Sequence, residues 1–398
     1  IDIVFHIEQN QPIYFERIVI TGNTKTRDKV IRRELHIHER GLFSSNRLKR
    51  SIRNLHRLDF FEDVDVRTHP GSQEDQMVLQ IDVTEKPTGT FTFGGGYSGV
   101  DKLYVMASIS ERNLFGRGQY LEFRTQTGSR TQQFSLSFVE PWLFDIPLSA
   151  GLDIYKWKRE YDEYDRDSTG GSLRFGYPVF DYTRGYIRYA YDVSDISNVV
   201  EAYKDYIFEE ENVESSVSLS LVYDSRNRVF NPSEGAHHKV TLQYAGLGGN
   251  VGFTKLTAET GWYYPLFWST VFFAHGEIGF VSRNPGKDLP DYERFYLGGI
   301  NSLRGFDWRD VSPKNENGLK YGGTRYIQFN LEYLFPIIQD AGFMGLFFYD
   351  TGNAYDGSID LGDLRESAGF GIRWYSPMGP LRLERGYILD RKPGESTG

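Results

Sequence analysis

One arginine and two carboxylates in the C-terminal half of the sequence have the types and spacing to form a buried ionic cluster. Arg304 lies in a long connection with little strand pattern, and Glu332 and Asp350 lie in the two strand-like segments that follow it. A guanidinium taken out of water needs carboxylate partners, and its planar fork can bind a carboxylate through two parallel hydrogen bonds. Because arginine stays protonated, it cannot act as a general base, and a structural latch is predicted rather than a catalytic triad. Glu332 and Asp350 are therefore the candidate partners of Arg304.

Other candidate sites carry weaker signals. The glycines Gly94, Gly95 and Gly96 are not followed by a helix or by a Lys-Ser/Thr pair, as a phosphate-binding loop would be. His237 and His238 are neighbours in one strand-like segment, so their side chains point to opposite faces. The sequence contains no cysteine, which excludes thiolate metal sites. We therefore predict no enzymatic activity, no metal and no cofactor.

The composition is typical of a transmembrane β-barrel. Aromatic residues make up 16% of the 398 residues, although hydrophobic residues reach only 39% and the mean hydropathy is −0.48. Strands that face lipid on one side and water on the other give this combination. No run of 18 or more apolar residues is present, so no helical membrane span is predicted. The formal net charge of −9 disfavours nucleic acid as a partner.

The first part of the chain mixes strand and helix patterns, which predict a small α+β domain over residues 13–87. Its second helix places Leu48, Ile52, Leu55 and Leu58 at helical spacing on one side. The opposite side of that helix carries four cations, Arg47, Lys49, Arg50 and Arg53. The predicted elements are a strand over 14–21, a helix over 26–35, the second helix from Ser44 or Ser45, and strands over 64–68 and 77–83.

From Gly89 onward, segments of about ten alternating residues recur between turns, and we count about fifteen of them. One face of these segments is apolar and the other is too polar for the core of a soluble sandwich, so residues 88–398 are predicted to form an antiparallel transmembrane barrel. Asp350 lies in an apolar run of ambiguous alternation, and we expect it on the polar face because a carboxylate in lipid is strongly disfavoured. The acidic stretch 161–167 is expected to be a solvated loop. The longest connection, about 282–322, is expected to be functional.

Several motifs resemble the BamA/TamA insertase superfamily. The segment Leu303-Arg304-Gly305-Phe306 resembles the [V/I/L]RGF motif of that family's loop six, which identifies the connection 282–322 as loop six. Glu332 and Asp350 match the acidic positions with which the loop arginine pairs in the family. The resemblance therefore implies a loop-six latch of Leu303, Arg304, Gly305, Phe306, Glu332 and Asp350. Residues 224–235 and 376–381 resemble two family turns, and GNTKT, RREL and LDFFEDV within residues 13–87 resemble a POTRA domain. The resemblance covers nearly the whole chain.

The two ends of the sequence differ from the family pattern. Residues 1–12 would be the end of a preceding POTRA domain, and with no signal peptide the chain is expected to be a piece of a longer protein. Family barrels have sixteen strands, whereas the sequence ends in RKPGESTG after about fifteen. We expect that the last strand was removed, is disordered or is supplied by another polypeptide, because an unclosed barrel leaves unpaired edge groups.

The function implied by the resemblance is assembly and insertion of β-barrel proteins into the outer membrane of a Gram-negative bacterium. The POTRA domain, in the periplasm, would bind clients by β-augmentation, and the barrel would open between its first and last strands. Implied partners are unfolded outer-membrane barrel proteins, accessory outer-membrane lipoproteins, periplasmic chaperones and the lipid bilayer. A TamA-type assembly factor and a two-partner-secretion polypeptide transporter are the alternatives, and a passive porin is disfavoured because porins lack a POTRA module. The expected lateral seam is Phe91, Phe93, Gly94, Gly95, Gly96 and Tyr97.

Overall fold

A computed structural model of the chain describes residues 11–98, 102–228, 231–338, 341–376 and 379–392. Of the segment predicted to end a preceding POTRA domain, only Gln11 and Pro12 are described. The chain forms two compact units. The first contains the residues up to Thr92 with Ser108–Phe123 and Ser137–Ile146, and the second contains the rest. In the described part of the chain, neither helix has the length and apolarity needed to cross a membrane.

The first unit contains a small α+β domain around a three-stranded sheet. Its strands lie in the order β1-β3-β2, with β1 parallel and β2 antiparallel to the central strand β3. Buried apolar residues from the sheet and both helices, among them Phe15, Ile31, Leu55 and Leu79, form its core. The elements are β1 (Tyr14–Thr21), α1 (Asp28–Arg32), α2 (Ser45–Leu58), β2 (Phe61–Pro70) and β3 (Gln76–Glu85).

The two helices begin and end for local reasons. The predicted first helix over 26–35 is shorter, because the amides of Glu34 and Leu35 bond to carbonyls three residues back in tight turns. Helix α2 begins after Ser44, whose hydroxyl accepts a hydrogen bond from the Arg47 amide. It ends at Asp59, whose left-handed backbone stops the helix.

Glu85, the last residue of β3, holds the connection between β1 and α1. Its carboxylate accepts hydrogen bonds from the amides of Thr24, Lys25 and Thr26 at 2.9, 2.8 and 2.6 Å. The Thr26 hydroxyl in turn accepts a bond of 2.8 Å from the side-chain amide of Asn113, in the same unit. Partial burial acts to raise the pKa of Glu85, but the hydrogen bonds outweigh it and lower this pKa to about 2.

The larger sheet contains fifteen of the described strands, and its strand order follows the sequence from β4 to β18. The described residues contain no pairing between β4 and β18, which are the two ends of this order. The predicted fold class, an α+β domain followed by an all-β antiparallel barrel with about fifteen strands in this sequence, is confirmed, and the barrel is not closed in the described residues. The strands are β4 (Gly89–Ser98), β5 (Lys102–Leu114), β6 (Gln119–Gly128), β7 (Thr131–Glu140), β8 (Ser149–Glu160), β9 (Asp165–Phe180), β10 (Thr183–Ser197), β11 (Glu211–Asp224), β12 (Gly235–Ala245), β13 (Phe253–Pro265), β14 (Val271–Arg283), β15 (Arg325–Ile338), β16 (Phe343–Tyr355), β17 (Arg365–Ser376) and β18 (Gly379–Ile388).

The two faces of the larger sheet differ in polarity. In β15, Phe329 and Leu331 are exposed on one face, whereas Gln328, Asn330 and Glu332 are buried on the other. Connections at one end of the sheet are short, such as the two residues between β9 and β10, and some at the other end are long. The longest, residues 284–324, is called loop six below. It begins two residues later than expected, because β14 stays paired with β13 as far as Arg283.

We predict that the small domain loses stability as the pH falls from about 4.5 towards 2. Glu85 has a lowered pKa in the folded state, so its contribution is complete above its ordinary pKa and is lost as the pH falls through about 2. Calorimetry of the whole chain in neutral detergent should show the transition of this domain moving to lower temperature over that range. Glu85→Gln should lower the transition at pH 7, by about 1 kcal/mol in unfolding free energy, and weaken its pH dependence. Equal pH dependence in the variant and the parent would contradict the assignment.

Candidate functional site

Loop six folds onto the polar face of the sheet through an apolar cluster of its own. Leu303 and Phe306 are buried on either side of the Arg304-Gly305 dipeptide, against side chains from other parts of the loop and from the strands. Burial of two large apolar side chains stabilises the docked loop by several kcal/mol and leaves Arg304 directed at the sheet. The other buried members of this cluster are Ala245, Val251, Phe253, Val281, Phe295, Leu297, Val311, Tyr326 and Ala354.

Arg304 is bound to carboxylates on three strands. Its Nε and Nη2 donate to the two oxygens of Asp350 on β16 at 2.7 and 2.6 Å, and its backbone amide donates to the same carboxylate at 3.0 Å. Its Nη1 donates to Glu332 on β15 at 2.6 Å and to Glu384 on β18 at 2.9 Å. The guanidinium also lies 3.7 Å from the centre of the Phe348 ring. The structure therefore brings Arg304, Glu332 and Asp350 together, and adds a third carboxylate.

Sequence reasoning missed that third carboxylate and two further arginines. Glu384 accepts hydrogen bonds at 2.8 Å from Arg373 on β17 and from Arg382 on β18, and Arg373 also binds both oxygens of Glu332. Three guanidiniums face three carboxylates, so the cluster has no net charge. The signal was present, since Arg382 and Glu384 alternate with the apolar Leu381 and Leu383.

Glycines in the last two strands make room for the cluster. The register aligns Glu332, Phe348, Gly369 and Gly386 across β15 to β18. A Cβ on Gly369 would lie 2.5 Å from the Phe348 ring, and one on Gly386 would lie 2.6 Å from backbone atoms of Arg304 and of the residue after it. Loop six and β18 are therefore in direct backbone contact.

Gly305 allows the loop to turn at this contact. Its φ of +97° lies in the left-handed region, where side chains other than glycine are strained. A Cβ there would also lie 3.1 Å from the Gly386 carbonyl carbon. Arg382 completes the link, donating to the Ile300 carbonyl at 3.1 Å and to the Asn301 side chain at 3.2 Å.

A neutral hydrogen-bond chain orients Asp350. The side-chain amide of Asn330 donates to Asp350 at 2.8 Å and to the Ser302 carbonyl at 2.9 Å. Gln328 donates to the Asn330 oxygen at 2.7 Å, and the Ser302 hydroxyl donates to Gln328 at 2.8 Å. Since Ser302 belongs to loop six, this chain joins the loop to β15 independently of Arg304.

A second arginine holds another part of loop six. Arg309 donates to Asp291 at 2.7 Å, and its guanidinium lies 3.6 Å from the centre of the Tyr296 ring. Trp308 stacks on Tyr161 in the connection between β8 and β9. The expectation that the stretch 161–167 forms a solvated loop was therefore wrong in part, since Tyr164 is only 2% exposed.

The predicted seam residues lie on β4, at the opposite end of the strand order from β18. Phe91 and Phe93 are 71% and 70% exposed. A Cβ on Gly95 would lie 2.9 Å from the Tyr104 carbonyl oxygen, and one on Gly96 would lie 2.9 Å from the Tyr104 hydroxyl. Gly94 is half-buried, and the side chain of Tyr97 lies outside the described residues. These residues therefore lie on the first strand of the larger sheet. Their role in lateral opening of the barrel stays a prediction.

We predict that Arg304→Ala destabilises the larger sheet by about 3–5 kcal/mol, because it leaves buried carboxylates without their partner. Arg304→Lys should lose part of this stability, since an ammonium cannot reproduce the two parallel hydrogen bonds to Asp350. Samples are heated to increasing temperatures and separated by electrophoresis without boiling, so that the folded and unfolded forms migrate differently. The measurement is the temperature at which the band of the folded form disappears. Arg188→Lys, at an exposed arginine on β10, is the control and should leave that temperature unchanged.

We also predict that Gly386→Ala separates loop six from β18. Its methyl group would collide with the backbone of Arg304, which no rotamer change can relieve. Protease cleavage within loop six should become faster in the variant. Gly248→Ala, whose Cβ would meet its nearest neighbour at an ordinary 3.7 Å, should be cleaved at the parental rate. Parental cleavage of the Gly386 variant would show that the contact does not hold the loop.

Comparison with known proteins agrees with this architecture. Residues 113–398 match the Omp85 superfamily domain, and residues 13–86 match the POTRA model described as a surface antigen variable number repeat. The chain is 34% identical to the outer membrane protein assembly factor BamA of Nitratidesulfovibrio vulgaris over 98% of this chain and 50% of that protein. It is 29% identical to BamA of Neisseria meningitidis serogroup B over 99% of this chain and 56% of that protein.

The solved structure of BamA from Haemophilus ducreyi lacking POTRA domains 1–3 shares the fold, with a TM-score of 0.76 and 23% identity over 97% of this chain and 83% of that one. The chain spans about half the length of the two BamA sequences that it matches. Because the family model covers residues 113–398, well over half of the chain, the protein belongs to the Omp85 superfamily.

Proposed function

We propose that this protein assembles and inserts β-barrel proteins into the outer membrane of a Gram-negative bacterium, with its POTRA domain in the periplasm. The observation that carries the proposal is the bond between the loop six arginine and Glu384 on β18, the last of the described strands. A passive channel needs no loop that is bonded to the strands beside its seam. Relatives whose names describe outer membrane protein assembly support the same function.

The proposed mechanism is strand pairing rather than covalent chemistry. A strand at the end of a sheet presents unpaired backbone groups, which a strand of an unfolded client can satisfy. In the POTRA domain, β1 and β2 are the edges of the small sheet and offer such groups to clients. In the larger sheet, β4 is the first strand, and we propose that clients enter between it and the last strand of the barrel.

Loop six is proposed to hold β18 in place as a template. Peeling β18 from β17 would break the bonds from Arg304 and Arg373 to Glu384. These two arginines would then have only Glu332 and Asp350 as partners. The pair formed by Arg382 and Glu384 on β18 would become exposed. Peeling would also break the backbone contact at Gly386. Since breaking a buried ion pair costs several kcal/mol, β18 should stay paired to β17 while the barrel opens.

Four kinds of partner are proposed with this function. They are unfolded outer-membrane barrel proteins as clients, periplasmic chaperones that deliver them, accessory outer-membrane lipoproteins, and the lipid bilayer. A polypeptide transporter of the two-partner-secretion type and a TamA-type factor are the competing functions, and the following experiment separates insertion from transport.

We predict that lipid vesicles containing this protein fold a urea-unfolded outer-membrane barrel protein faster than empty vesicles do. The folded client is measured by its altered mobility in unboiled samples. Glu384→Gln should slow folding several-fold, because the amide cannot balance three guanidiniums. Glu316→Gln, at an exposed loop position, is the matched control. Equal folding in empty vesicles, or protection of a soluble polypeptide inside the vesicles without folding of the client, would contradict the proposal.

A further inference from the structure

Helix α2 carries a concentration of positive charge that the rest of the protein does not explain. Within Ser45–Leu58 there are four arginines and one lysine, and no acidic residue, although the whole chain has a net charge of −9. The cations are Arg47, Lys49, Arg50, Arg53 and Arg57, and all five are exposed.

The cations lie mainly on the side of the helix that faces away from the domain core. Lys49, Arg53 and Arg57 recur at intervals of four residues, so they form a strip about 12 Å long. Arg50 lies beside this strip. The buried residues Ser51 and Leu55 lie on the opposite side of the helix. The strip is therefore a surface feature and contributes nothing to the core.

Nothing within the domain neutralises the strip. In the described part of the chain, none of the five side chains makes a hydrogen bond or an ion pair, whereas Arg32, Arg67 and Lys86 of the same domain each bind a carboxylate. Like charges four residues apart on a helix destabilise it by a few tenths of a kcal/mol per pair. Helix stability therefore disfavours this spacing, and an external anion would relieve the repulsion.

We propose that this strip is the docking surface for an acidic segment of a partner protein. Four of the five cations are arginines, whose forks bind carboxylates with two hydrogen bonds each. A partner helix with carboxylates at intervals of four residues fits this surface. The assignment does not depend on the insertion mechanism proposed above.

A membrane surface fits α2 less well. Helices that bind membranes bury an apolar face among the lipid headgroups. In α2 that face is already used, since Leu48, Leu55 and Leu58 pack in the core of the domain. Attraction to anionic lipid would then rest on charge alone, at about 1 kcal/mol for each cation near the surface.

The test measures binding of a defined acidic peptide to the whole chain in a neutral detergent. The probe is a fluorescent helical peptide of 16 residues (about four turns) with Glu at every fourth position, compared with its Gln counterpart by fluorescence anisotropy. We expect binding of the Glu peptide only, weakening as salt is raised. Lys49→Glu/Arg53→Glu should weaken binding at least about tenfold, a change of about 1.4 kcal/mol.

The control variant, Arg17→Glu/Lys25→Glu, makes the same change of charge at two exposed residues of the domain outside α2. It should bind the peptide as the parent does, and calorimetry should show that both variants are folded. Equal loss in both variants would mean that only net charge matters, and this would overturn the proposal. Binding to phosphatidylethanolamine–phosphatidylglycerol vesicles without binding to the peptide, or no binding to either probe, would also overturn it.

Discussion

The larger sheet depends on one guanidinium that must satisfy carboxylates on three different strands. Arg304 can reach Glu332, Asp350 and Glu384 only if loop six is folded onto the polar face and β18 is paired with β17. The side chain of each carboxylate is buried, so each needs its cationic partner. Loop position and strand pairing are therefore linked by electrostatics, and neither can change without the other.

Shape complementarity reinforces this link. Three residues form one row across neighbouring strands, namely Phe348, Gly369 and Gly386. The backbone of loop six occupies the space that a side chain at Gly386 would otherwise fill. Gly305 supplies the left-handed turn that this approach requires. Leu303 and Phe306 are buried on either side of the Arg304-Gly305 dipeptide, and the burial of the ion-paired side chains themselves strengthens the ion pairs.

Much of this could be predicted from the sequence, and the exceptions have physical reasons. Alternation along β15 placed Glu332 on the polar face, opposite Phe329, because a strand has a period of two. The contact of Arg304 with Glu384 joins residues 80 positions apart, and no local pattern encodes such a distance. The same limit applies to Tyr164, which is buried with Ile196, Val199 and Ile207 from a distant part of the sequence.

The central claim, that the loop six arginine holds the terminal strand in the sheet, is tested most directly by amide hydrogen exchange along the chain in the parent and in Arg304→Ala. The account predicts faster exchange in residues 379–388 of the variant, and parental exchange in β9 and β10, which lie far from the cluster in the strand order. Unchanged exchange in β18, or an equal increase in every strand, would contradict it.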